Sequence, residues 1–300
     1  MIMNKIQKQW ENILKKTYKA HIADVDGNLT GTHENASSLS PLVISQIQKH
    51  LKNGIPFGIC SARSFEDNLM LKSILTDVTE GLSSNEIKNF FIFPEQGASV
   101  LSFKFDKNKN IITKEIDLIK FFKIKGYKNL FNSFSRQELY KKIATTLKID
   151  NELKYKGDKK YGFIAQLNEK DLILDQAHQD KIFNLTHLMS DYVQKEFPLF
   201  EVLCTRKSIY VTLKGANKAL AIRYFSKKYN LNFDEIVGTD DQGTKDGVGY
   251  PLICHKAGFS TNIYEEKEEF PFPVSSICNK TGVEAWLFIE ENLKYNSPIS

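Results

Sequence analysis

Short apolar runs that end in polar, glycine-containing loops, with helical patterns between them, constrain this chain more than any other feature. After a charged amphipathic stretch from about Asn4 to Lys16, the segment YKAHIADVDGNLTG begins as an apolar run and breaks at Asp24, Asp26 and Gly27. A buried strand entering a loop reads this way. SPLVISQIQKHLKNG follows, with apolar residues at helical spacing, a Ser-Pro start and a Gly stop, and the next apolar run, IPFGIC, leads into SARS. Strand, helix, strand predicts a right-handed βαβ unit in a parallel sheet.

A further apolar stretch, NFFIFPEQGASVLSF, closes this first segment with a Pro-Glu-Gln-Gly turn. From about Lys104 to about Thr205 the texture changes to dense lysine and aromatics. Strand patterns at KYGFIAQL and SIYVTL accompany helical ones at RQELYKKIATTLK and QDKIFNLTHLMSDYVQKEF. Strands and helices without parallel order predict an α+β insert. The last third returns to alternation: KALAIRYFSKKYNL as helix, FDEIVGTDD as strand into loop, PLICHKAG as helix and GVEAWLFIEENLKY as a closing helix. The expected architecture is a Rossmann-like α/β core of residues 1–103 and 206–300, interrupted by an α+β domain at 104–205.

Length agrees with two domains, since 300 residues exceed the usual size of one. With 41% hydrophobic and 26% charged residues the chain has the balance of a folded globular protein. The formal charge of +5 is mild, and the lysines alternate with acidic residues, so nothing points to a nucleic-acid partner. The four cysteines, Cys60, Cys204, Cys254 and Cys278, are far apart and form no metal-binding spacing; they read as free thiols in a reducing cytoplasm. The charged N-terminus lacks a signal-peptide core, and no run of apolar residues is long enough to span a membrane. Oligomeric state is not legible.

Asp24 and Asp26 flank Val25 at a strand end, so alternation turns both carboxylates to one side, and Gly27 permits a sharp turn. In open parallel sheets, ligands bind beyond the carboxyl ends of the strands. The Asp pair, Ser61 and the acidic loop near Asp240 all fall there. Taken alone, an Asp-x-Asp-Gly run is as common in a plain turn. The ordered series DVDGNLT, ICSAR, GANKAL and GTDDQGTKD is what sets this chain apart.

These four stretches resemble the motifs of the haloacid dehalogenase-like hydrolase superfamily, in its branch with a large C2 cap (type IIB-like), over essentially the whole chain. The resemblance implies that Asp24 is the nucleophile and Asp26 the general acid/base. It implies that Ser61 hydrogen-bonds the transferring phosphoryl oxygen and that Lys218, in GANKAL, neutralises charge between nucleophile and phosphate. It further implies a Mg2+ cofactor held by Asp24, the carbonyl of Asp26 and an acidic residue of the fourth motif, where Asp241 and Asp246 match the family's two-Asp spacing. Many relatives read GDxxND where this chain has GTDDQGTKD, with Thr239 after the glycine and Lys245 in the Asn position, which leaves Asp240 and Asp241 both open. Ala62 replaces a common Gly, Asn28 a common Thr, and PEQGA carries Gln96 where relatives have Asn. PEQGA reads as a core-to-cap marker.

Chemistry supports the same roles. A carboxylate attacking phosphorus makes an acyl phosphate and splits hydrolysis into two displacements, with a second carboxyl beside it to shuttle the proton. Two anions approach only where cations intervene, hence the metal and the lysine. Arg63 reads as a partner for an acidic residue, the histidines as structural, and Tyr155, Tyr161 and Phe163 as half-buried strand residues. The expectation is a cytoplasmic phosphatase for a small phosphomonoester, a sugar phosphate by default, with a cap that closes over the site and no nucleic acid or membrane partner. A phosphomannomutase-like phosphomutase and a non-catalytic protein of the same fold stay open beside it.

Overall fold

The computed structural model describes residues 2–30, 38–66, 68–126, 135–168, 176–262 and 270–298. The chain divides into two compact units. The first comprises Met1–Leu118, Lys218–Thr244 and Gly249–Ser300; the second comprises Ile119–Asn217 and Lys245–Val248.

The first unit opens with α1 (Ile2–Leu14), β1 (Thr17–Tyr18) and β2 (Ala20–Asp24), then α2 (Pro41–Lys52), β3 (Phe57–Cys60), α3 (Leu69–Thr79), α4 (Ser84–Ile87), β4 (Phe90–Phe93), β5 (Ser99–Phe105) and β6 (Ile111–Asp117). Helix α2 starts where the sequence marks it: the Ser40 hydroxyl accepts from the Val43 N–H at 3.3 Å and Pro41 occupies the first turn. It buries Val43, Ile47 and Leu51, spaced four apart, against Leu71 and Ile74 of α3 and the strand residues Phe57, Ile59 and Ile92.

The second unit contains α5 (Leu118–Phe121), α6 (Arg136–Leu147), β7 (Leu153–Lys159), β8 (Gly162–Leu167), α7 (Gln176–Glu196), β9 (Phe200–Cys204) and β10 (Ser208–Leu213). Its strands form an antiparallel sheet in the order β7-β8-β10-β9. This is the expected α+β insert, but its limits differ from the expected 104–205. Strands β5 and β6 stay with the first unit, because β5 buries Val100, Leu101 and Phe103 and pairs with β4. The lysines that change the texture there, such as Lys104 and Lys114, lie on β5 and on the exposed β6 at the sheet edge, where charge discourages further pairing. At the other limit, β10 lies between β8 and β9 and so belongs to the insert. Residues Lys245–Val248 also join it, through backbone bonds from Cys204 N–H to the Asp246 carbonyl and from Val248 N–H to the Cys204 carbonyl.

The chain completes the first unit with α8 (Ala219–Tyr229), β11 (Ile236–Asp240), α9 (Tyr250–Ile253), β12 (Gly258–Ser260), β13 (Phe272–Pro273), α10 (Ser275–Cys278), α11 (Gly282–Asn292) and β14 (Lys294–Tyr295). Among the described residues its main sheet runs β13-β12-β11-β2-β3-β4-β5-β6. The first six strands are parallel, and β4-β5-β6 is an antiparallel meander. All five residues of β2 and of β11 are buried, the pattern of strands covered on both faces. No helix among the described residues is long and apolar enough to cross a membrane.

The amphipathic N-terminal helix packs on this unit. Ile6, Trp10 and Ile13 are buried with Phe259, Phe272, Ala285 and Ile289, and the Trp10 ring lies 5.5 Å from both Phe272 and Phe288, stacked on each. Trp10→Ala is expected to cost about 3–5 kcal/mol, read as a lower urea midpoint; a wild-type midpoint would contradict this docking.

Candidate active site

Parallel register brings three loops together. Ala23 of β2 stands opposite Thr239 of β11, and Asp24 opposite Cys60 of β3, so Asp24, Ser61 and Asp240 lie at adjacent strand ends. After Asp24 the chain makes one wide turn over Val25–Leu29, closed by the Thr30 N–H on the Val25 carbonyl at 3.0 Å. Gly27 has φ +74°, and a Cβ there would stand 2.5 Å from Asp241 Oδ2. A Cβ at Gly249 would stand 2.0 Å from Asp240 Oδ1. Two glycines thus make room for the two carboxylates of the late loop.

Lys218 lies at the start of α8, fully buried, with Nζ 2.7 Å from Asp24 Oδ1 and 2.7 Å from Asp240 Oδ2. Burial opposes its charge, but Asp24 and Asp240 outweigh that and hold the ammonium well above the ordinary lysine range. Asp24 is pushed well above the ordinary carboxylate range, first by burial; Lys218 pulls it back, and Asp240, Asp26 and Asp241 push it up again. Asp24 rises first through burial, while Lys218 rises because Asp24 and Asp240 flank it. Ligand oxygens of Asp24, Asp240 and Asp241 lie within 4.8 Å of one another, all buried.

The rest of the site is held by main-chain bonds. Ser61 is buried, its N–H donates to the Phe93 carbonyl at 2.9 Å, and its Oγ accepts from the Arg63 N–H at 3.1 Å. The PEQGA turn braces this loop: Gln96 N–H donates to the Ser61 carbonyl at 2.8 Å and Glu95 N–H to the Arg63 carbonyl at 2.9 Å. Glu95 and Gln96 both have positive φ, 53° and 58°. Asp26 is exposed and forms a bidentate pair with Arg63, Nη2 to Oδ1 at 2.6 Å and Nε to Oδ2 at 3.1 Å.

The sequence profile of the haloacid dehalogenase-like hydrolases matches residues 21–239. The chain belongs to the haloacid dehalogenase-like hydrolase family. The fold also matches solved structures of Plasmodium falciparum IMP-nucleotidase. The N-terminally truncated, IMP-bound form aligns with a TM-score of 0.60 at 12% identity, covering 84% of this chain and 65% of that one. A second structure of the N-terminally truncated protein gives 0.54 at 14% identity, over 81% and 66%. The ATP-bound form gives 0.58 at 13% identity, over 81% and 57%. The chain therefore spans two thirds or less of the length of these relatives. No match was found among curated protein sequences.

Within this family member, Asp24, Lys218 and Asp241 come together, with Ser61 at the next strand end. Asp246 belongs to the second unit, where its Oδ2 stands 3.6 Å from His187 Nε2 and its carbonyl accepts from Cys204. Spacing nominates Asp246; the buried group of the first unit also includes Asp240, directly on Lys218. Adjacent Asp240 and Asp241 both contribute because the chain turns immediately after β11. The Asp26 carboxylate is engaged by Arg63, and the resemblance assigns only its carbonyl to the metal.

The donor set suits a hard divalent cation: three buried carboxylates supply oxygen ligands, and one ammonium leaves their charge uncompensated. Asp24, the Asp26 carbonyl and Asp240 or Asp241 are the groups that would hold Mg2+.

A stability test follows from the sign of the Asp24 shift. Its raised folded-state pKa means that stability tied to the protonated form is present at low pH and lost as pH rises through that pKa. Asp24→Asn is therefore expected to raise the Tm of the metal-free protein at neutral pH, with the gain closing on acidification. A lower Tm for the variant at neutral pH would contradict this electrostatic account.

Proposed function

We propose that this protein is a magnesium-dependent phosphatase that forms a phosphoaspartate on Asp24. The observation that carries the reading is the buried Asp24 carboxylate held 2.7 Å from Lys218 in one group with Asp240 and Asp241. Lys218 engages Oδ1, which leaves Oδ2 as the attacking oxygen.

In the first displacement Asp24 Oδ2 bonds to phosphorus and the ester P–O bond breaks, while Asp26, having left its pair with Arg63 and taken up a proton, gives that proton to the leaving oxygen. In the second, Asp26 takes a proton from water, the water oxygen bonds to phosphorus, and the acyl P–O bond to Asp24 breaks, which restores the enzyme and frees inorganic phosphate. Arg63 holds the resting Asp26 through two bonds, and in this reading the Ser61 hydroxyl, which accepts from the Arg63 N–H, bonds a phosphoryl oxygen. Mg2+, when bound, adds the positive charge that lets an anionic nucleophile meet an anionic substrate. Lys218 supplies fixed charge at the same oxygen cluster without reorganising.

The proposed substrate is a small phosphomonoester, with a sugar phosphate as the first class to try. A nucleoside monophosphate is the second, supported by the fold shared with IMP-nucleotidase, one structure of which is IMP-bound. The exposed Cys254 thiol is compatible with a cytoplasmic setting.

The test is phosphate release from a panel of sugar phosphates and nucleoside monophosphates with magnesium, beside Asp24→Asn and an EDTA control. Release that needs magnesium and falls by about 10³-fold or more in Asp24→Asn is expected. No release by the intact protein across the panel would move the reading to a phosphomutase or a non-catalytic binder.

A further inference from the structure

His21 lies on β2, three residues before the candidate nucleophile, and is fully buried. Its Nδ1 is 2.7 Å from Glu290 Oε1 of α11 and 3.2 Å from the Tyr295 hydroxyl, which itself donates to Glu290 Oε1 at 3.1 Å. The second oxygen of Glu290 takes His50 Nε2 of α2. On the other side of the ring, His21 Nε2 is 3.0 Å from Thr239 Oγ1. Thr239 Oγ1 in turn accepts from Asn28 Nδ2 at 3.1 Å. The same Asn28 nitrogen donates to the main-chain carbonyls of Asp24 at 3.0 Å and Thr239 at 3.3 Å, while Asn28 Oδ1 accepts from the Thr261 hydroxyl at 3.1 Å.

With a neutral His21, one arrangement of hydrogens satisfies these contacts. Burial pushes Glu290 up, but His50 and the hydrogen bond from His21 carry its carboxyl below the ordinary range, so it can only accept. Burial pushes His21 down against the upward pull of Glu290, which favours the neutral ring. A neutral ring facing an acceptor at Nδ1 must carry its proton there, which makes Nε2 an acceptor. Thr239 must then donate to Nε2 and offer its lone pairs to Asn28. The amide of Asn28 stands with its nitrogen to the Asp24 and Thr239 carbonyls, which only accept, and its oxygen to Thr261, and Thr239 Oγ1 ties it to His21. His21, His50 and Glu290 also cluster closely enough to hold an ion, but their direct contacts are hydrogen-bonded pairs, and the relay explains them without one.

We propose that Glu290, His21, Thr239 and Asn28 form a positioning relay, in which the carboxylate fixes the His21 tautomer and Thr239 ties that ring to the Asn28 amide that clamps the main chain of Asp24. This rests on Asp24 being the nucleophile. None of the four touches the reacting atoms. Their effect is on where the Asp24 carboxylate stands, and misplacement at this scale costs turnover more than binding.

The test combines two-bond 1H–15N imidazole spectra with kinetics of Thr239→Val and Thr239→Ser. The relay predicts protonated Nδ1 and bare Nε2 for His21 in the wild type. Thr239→Val is expected to lower kcat about tenfold or more with KM held within about twofold, and Thr239→Ser, which keeps the hydroxyl, to restore kcat to within about threefold. A proton on Nε2, or wild-type kcat in Thr239→Val, would overturn the relay. If the wild type turns over no phosphomonoester, the phosphatase reading fails separately. The spectra then decide: one locked pair of Asn28 side-chain amide signals that Thr239→Val releases supports the relay, and unchanged signals overturn it.

Discussion

One buried ammonium organises the candidate site. Lys218 lies between Asp24 and Asp240, bonded to both at 2.7 Å, while Asp241 adds a third carboxylate to the group. An unpaired charge at this depth would be strongly destabilising, yet the pairing is incomplete, since one cation faces several anions. Glycines at 27 and 249 let these carboxylates crowd together instead of holding them apart. Such an arrangement costs stability, which fits the proposed binding of a divalent ion and a phosphate there.

The sheet makes that crowding reproducible. Asp24 ends one strand, Ser61 follows the next, and Asp240 ends the strand on the other side, so parallel register sets their relative heights. Buried packing on both faces of β2 and β11 leaves the strands little freedom to slide. Outside the sheet, the PEQGA turn braces Ser61 and Arg63, Arg63 braces Asp26, and Asn28 ties the first loop to β11. The site is buried at Asp24 and exposed at Asp26.

Much of this is legible in the sequence, since strand and helix periodicity mark the interrupted α/β core and four ordered motifs mark Asp24, Ser61, Lys218 and the late acidic loop. What is not legible depends on long-range pairing. Residues 104–117 carry the lysines of a surface segment, but they extend the core sheet at its edge. Asp246 has the right spacing in the chain, but a backbone bridge to Cys204 draws residues 245–248 into the second unit, and the buried group of the first unit includes Asp240. His21 and Glu290 are far apart in sequence and have no motif, so only packing of α11 on β2 reveals them as partners. Arg63 carries a clue in its place just after a strand, and its acidic partner proves to be Asp26.

The central claim is that Asp24 becomes covalently phosphorylated. The most direct measurement is mass spectrometry of acid-quenched protein during turnover of a phosphomonoester with magnesium, followed by peptide mapping. The account predicts a labile phosphoryl group on the peptide containing Asp24, present during turnover and gone when substrate is exhausted. Turnover with no phosphoryl group on that peptide at any quench time, or a phosphoryl group on another residue, would contradict it.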